Sequence, residues 1–246
     1  MEKYIFSCKN CGNQFEGKFC NVCGQKASTY RITWKEVWHH LPHAILHLNE
    51  EFLYTVKELT VRPGDMIREY LEGKRKPHFN PFLMLTLLAG LCSYLYVHFH
   101  FQTILASVSL DKLEEQNALL AHKYFAVRTI IFCLICSVGD YLFFYEKKYT
   151  LPEMVIANTF MFSEVTVFQL LFIPFLLLGR YLDINFYFRV FFVVAVLIYL
   201  FTARYRFYKA TGNKKLTAKI VIAILSYLVI IIIIGQELVH PFFKTS

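Results

Sequence analysis

At 246 residues the chain has room for one or two domains. Hydrophobic residues make up 56% of it and aromatic residues 17%, while charged residues reach only 18%, against about 25% in a soluble globular chain. Lys and Arg outnumber Asp and Glu by 26 to 18, and the apolar residues gather in long runs, which excludes an ordinary soluble domain and points to a membrane protein with basic flanks.

The first feature in chain order is CKNCGNQFEGKFCNVCGQK, residues 8–26. Cys8 and Cys11, then Cys20 and Cys23, form two CxxC pairs, with Gly12 and Gly24 following each pair. Both sulfurs of a CxxC turn can point at one ion, and the glycines let backbone N–H groups fold toward the thiolates. Four thiolates suit structural Zn²⁺ in a closed tetrahedron, with rubredoxin-like iron as the lesser alternative. A thioredoxin-like redox pair would need one CxxC at a helix start, and four cysteines leave no open position for catalysis. No charged-then-apolar leader is read in the first 78 residues, so the cysteines are expected in a reducing cytosol, where disulfides are rare. Residues 1–30 therefore read as a zinc ribbon. So short a segment builds no apolar core of its own; metal binding, about 10–16 kcal/mol in finger peptides, takes its place. Lys3, Lys9, Lys18 and Lys26 against Glu2 and Glu16 are a thin footprint for nucleic acid. A protein partner or a second copy of the chain is the expected contact.

Residues 31–79 read as a cytosolic or interfacial helical collar. Thr33 and Glu36 form a capping box, followed by apolar residues near helical spacing up to Phe52. Trp34 and Trp38 suit a membrane surface, and Pro42 argues for a kink. His39, His43 and His47 share one face, where a polar filler role outweighs a metal or proton role. A second helix is expected to start at Pro63 and stop at Gly73. Lys74, Arg75 and Lys76 then fall where anionic headgroups would lie, a possible membrane-surface contact that also serves as a topogenic stop.

The stretch from Phe19 to Gln25, Arg31-Ile-Thr33, Pro63-Gly64, Ile67-Arg-Glu-Tyr70, Gly73-Lys-Arg75 and Pro81-Phe82 resembles an uncharacterised family of bacterial integral membrane proteins with an N-terminal zinc ribbon. The likeness covers roughly the first third of the chain. It implies this architecture, in the bacterial inner membrane, and supplies no activity.

Residues 80–246 are expected to form a five-helix transmembrane domain. The runs are 81–101, 129–145, 152–179, 186–203 and 220–236, and roughly 20 helical residues cross a core of about 30 Å. Arg62, Arg68, Lys74, Arg75, Lys76, Lys147, Lys148, Arg204, Arg206, Lys209, Lys214, Lys215 and Lys219 fall on one side. The other side holds fewer basic residues, among them Lys112, Lys123, Arg180 and Lys244, so the N-terminus is expected inside and the C-terminus outside. The fold class is thus an all-α membrane protein preceded by a ribbon and amphipathic helices.

Two acids interrupt the runs. Glu164 lies near the middle of the third span, flanked by Asn158, Ser163, Thr166 and Gln169. A charge at the bilayer centre costs about 2.5–3.5 kcal/mol on insertion scales, so this acid must be partnered, neutralised or wetted. Asp140, nearer the cytoplasmic end of the second span, is placed to meet Arg204. Cys133 and Cys136 in the same span read as small packing residues. Dinucleotide, phosphate-loop, zinc-protease and serine-hydrolase motifs are all missing, so an enzyme is disfavoured. The leading function is a membrane scaffold or sensor whose zinc cap contacts a cytosolic partner or itself. The alternative is a small proton, ion or solute transporter or channel using Glu164.

Overall fold

The computed structural model describes residues 5–27, 50–99, 123–144, 149–182, 185–209 and 216–237, with the side chains of residues 180, 185, 186 and 229–237 set aside. The capping box at 33–36, both tryptophans and the histidines 39, 43 and 47 lie outside the described residues, as do Lys112, Lys147 and Lys148.

A two-stranded antiparallel hairpin comes first, β1 (Ile5–Ser7) against β2 (Gln14–Glu16), with Phe6 opposite Phe15. Among the described residues seven helices follow: α1 (Glu50–Val61), α2 (Pro63–Glu72), α3 (Pro81–His98), α4 (Phe125–Phe143), α5 (Leu151–Tyr181), α6 (Asn185–Tyr208) and α7 (Leu216–Glu237). The expected limits of α2 hold. Pro63 occupies the first turn, where its missing N–H is no loss, and Gly73 ends the helix at φ 118°. The Gly73 N–H donates to the Glu69 and Tyr70 carbonyls, and Lys74 N–H donates to Glu69 O. Pro81 opens α3 behind an Asn80 cap, whose side-chain oxygen accepts from Phe82 N and Leu83 N.

Four helices are long and apolar enough to cross a membrane among the described residues: Pro81–His98, Phe125–Phe143, Leu151–Gly179 and Tyr187–Tyr208. The expected fifth run belongs to α7, whose fully described apolar part is Leu216–Leu228.

The collar does not sit apart from the bundle. Leu59 of α1 and Met66 and Ile67 of α2 are fully buried in the same apolar cluster as Met84, Phe160, Phe207 and Ile220 of the longer helices. Gly64 makes this possible. A Cβ there would stand 2.3 Å from the Phe207 backbone N and 2.5 Å from the Ala203 carbonyl, so only glycine lets α2 cross α6 this closely. Arg68 and Arg206 fasten the crossing, donating to the Arg206 and Val61 carbonyls.

The corner between α1 and α2 changes the surroundings of α5 along its length. Every residue in 152–166 is buried, whereas beyond Val167 the helix presents Leu171, Phe175, Leu177 and Leu178 outward. The buried half carries Glu153, Asn158, Thr159, Ser163, Glu164 and Thr166, so these polar residues fall where protein surrounds them, while Gln169 beyond them is only half-buried.

Candidate metal centre and buried polar clusters

The two CxxC turns are built alike. Gly12 N–H donates to Cys8 O and Gly24 N–H to Cys20 O, each at 2.8 Å, with φ near 75° at both glycines. Cys8 N–H and Cys20 N–H close the turns on the Asn13 and Gln25 carbonyls. This repeat brings the ligand atoms of Cys8, Cys11, Cys20 and Cys23 within 4.8 Å of one another. The Cys8–Cys23 and Cys11–Cys20 sulfurs are 3.5 and 3.6 Å apart. A tetrahedron with metal–sulfur bonds of about 2.3 Å has edges of about 3.8 Å, whereas a disulfide needs about 2.05 Å. All four are free thiols in a geometry that fits one metal ion. The backbone N–H of Cys23 aimed at the Cys20 sulfur draws that thiol down to about 6, whereas Cys11, whose thiol contacts the other three, is pushed up to about 12.

Gln25 ties this centre to the collar. Its side-chain amide donates to Gly73 O (2.9 Å), while its Oε1 accepts from Arg75 N and Lys76 N at 3.2 and 3.3 Å. The carbonyl it satisfies is an orphan of the α2 C-terminus. Lys9 closes over the same turn, because a Cβ at Gly73 would meet its Cδ at 2.6 Å. The three basic residues expected to face headgroups are thus engaged nearby. Lys74 pairs with Glu69 (3.3 Å), Lys76 with Glu51 (3.5 Å), and the Arg75 guanidinium lies 5.9 Å from the Tyr70 ring centre. His78, a few residues on, is buried against Tyr54 and Tyr70, and burial pushes its pKa down to about 4.

Inside the bundle, Asp140 does meet Arg204, at 3.3 Å and with both side chains almost fully buried. Asp140 Oδ2 also accepts from Asn158 Nδ2 (2.9 Å) and Oδ1 from the Tyr227 hydroxyl (2.8 Å). Arg204 Nη2 donates to Asn158 Oδ1 (3.0 Å), and its guanidinium lies 5.5 Å from the Tyr227 ring centre. Four helices, α4 to α7, are joined by this one neutral cluster. A buried pair adds little net stability over an apolar filling, but it fixes which side chains face one another. Tyr227 approaches so closely that a Cβ at Gly139 would touch its ring at 2.8 Å.

Glu164 belongs to a separate place. It is fully buried, with Oε1 2.5 Å from the Thr60 hydroxyl of α1 and Oε2 without a partner. Cys133 and Cys136 pack in the apolar cluster. Sequence reasoning named Asp140, Arg204 and Glu164 but missed Thr60, Gln25 and Tyr227 as partners. Tyr227 was visible, beside Ser226, as a hydroxyl in an apolar run, and Gln25 as the end of the ribbon motif. Thr60 carried no signal.

A family described as a protein of unknown function (DUF3667) matches residues 50–92. That segment spans α1, α2, the turn after them and most of α3, and so includes Thr60, Gly64 and Gly73 but none of the four clustered cysteines. No curated protein and no solved structure matches the chain.

Proposed function

We propose that this protein is a five-span scaffold or sensor of the bacterial inner membrane, with a cytoplasmic N-terminus. A structural Zn²⁺ held by Cys8, Cys11, Cys20 and Cys23 folds the cap, and the cap presents itself to a cytosolic partner or a second copy. The observation that carries this reading is Gln25: the metal turn and the collar are joined through one buried side chain, so the state of the cap bears directly on α2. α2 in turn crosses α6 at Gly64, within the bundle's own core. The cap leaves Ile5, Phe19 and Val22 exposed, apolar side chains well suited to a partner's surface. The metal is structural because four thiolates fill its coordination shell.

Photo-crosslinkers at Phe19 and Val22 test this in cells. One defined adduct, lost when Cys20→Ser empties the metal site while the chain still inserts, is the expected result. Identical adducts with and without metal would refute the reading.

A further inference from the structure

We propose that Glu164 is a proton-binding site within the bundle and that Thr60 is the relay through which it is loaded. The inference is independent of the cap and its metal.

Hydrogen bookkeeping leads to the first half. Thr60 Oγ1 lies 2.5 Å from Glu164 Oε1 and 2.9 Å from the Val56 carbonyl. A hydroxyl has one proton and cannot serve both acceptors. With Glu164 neutral, its Oε1–H donates to Thr60, Thr60 donates to Val56 O, and each hydrogen is used once. Only the carbonyl-like Oε2 then lacks a partner. A carboxylate would have one shared donor for roughly four lone-pair sites, in a fully buried position.

No cation offsets the charge among the described residues. Arg204 is committed to Asp140 and Asn158, and Arg62 of α1 to Glu58 and Glu69. The other titratable side chains on the helices packed around Glu164 include Cys92 on α3, Cys133 on α4 and Tyr199 on α6. All three are neutral when protonated.

Exposure leads to the second half. Glu164 is fully buried, yet Thr60 is exposed, with exposed Lys57 one turn before it and half-exposed Arg62 just after. The acid is therefore one hydroxyl away from the surface. The threonine's own proton turns from the Val56 carbonyl to an outside water and leaves, as the proton on Glu164 Oε1 passes to Thr60 Oγ1. Threonine stays neutral, Glu164 becomes a carboxylate and the water becomes hydronium; the reverse step loads the acid.

Infrared spectroscopy of the full chain in lipid vesicles reads both halves. A protonated-carboxyl C=O band at neutral pH should be present in the wild type and absent from Glu164→Gln. On transfer to D2O the band should shift quickly in the wild type and in Thr60→Ser, and slower by an order of magnitude or more in Thr60→Val. Indistinguishable wild-type and Glu164→Gln spectra would overturn the proton site, independently of any variant at position 60. Exchange in Thr60→Val at the wild-type rate would overturn the relay.

Discussion

The ribbon buries Cys8, Phe15 and Cys20 as its apolar centre, whereas α5 buries every residue in 152–166. Both regions concentrate chemistry-bearing side chains, but they are held by opposite means. In the cysteine turns, identical thiols converge with their ligand atoms within 4.8 Å of one another, a geometry that fits an ion. In the bundle, unlike groups bond to one another, a carboxylate, an amide, a guanidinium and a phenol, with only the Nη1 of Arg204 left without a partner among them. The first arrangement fits an ion that the chain would have to acquire, and the second is held by partners the chain already carries. They meet at the collar, where Gln25 grips the end of α2 and Gly64 admits α2 to the bundle.

The sharpest way to break this comparison is to empty the ribbon. Replacing Cys8 and Cys11 by serine should abolish metal binding and unfold residues 5–27, while the helices keep their circular dichroism. Elemental analysis and proteolysis check the two parts separately. Loss of the helical signal as well would show that the regions are not independently held.

The next effect falls on the bundle. Asp140→Leu strands Arg204 without its counter-ion and should destabilise the chain by about 3–5 kcal/mol. Adding Arg204→Leu should recover much of that loss, because the paired charges leave together. Thermal unfolding in detergent measures it, and a double variant weaker than the single one would mean that the cluster contributes through more than charge pairing.

A third expectation concerns pH. His78 is buried and binds its proton more weakly folded than unfolded, at about 4 against 6.5. Its contribution is full above about 6.5 and is lost as pH falls toward about 4, amounting to roughly 3 kcal/mol. His78→Phe should flatten the acid limb of the stability profile. An unchanged limb would place the titration elsewhere.

Smaller still is the crossing of α2 and α6. Gly64→Ala drives a Cβ against backbone rather than a movable side chain, and should cost about 1–3 kcal/mol. A neutral outcome in the same unfolding assay would show that the two helices can part without penalty.

How much of this was legible depends on whether the signal was local. The four cysteines and their glycines repeat at fixed spacing, and the Pro63 and Gly73 limits of α2 follow from backbone rules acting on neighbouring residues. The apolar runs marked five spans, and four of them are helices long and apolar enough to cross a membrane among the described residues. What stayed hidden was contact between distant segments. Thr60 and Glu164 are 104 positions apart, and nothing in the period of α1 singles out one threonine. Asp140 and Arg204 could be paired because opposite charges in apolar runs require each other, while Asn158 and Tyr227 between them could not. The basic turn read as a headgroup site is also the turn that receives Gln25, since a backbone carbonyl awaiting a cap leaves no mark in sequence.

The joint at Gln25 tests the account most directly, by hydrogen exchange at the Arg75 and Lys76 amides. Both should be protected in the metal-loaded wild type. Both should exchange freely when a chelator removes the metal, and equally in Gln25→Ala with the metal still bound, the lost bonds amounting to about 1–3 kcal/mol. Protection that survives both treatments would contradict a cap whose metal state reaches the membrane helices through Gln25.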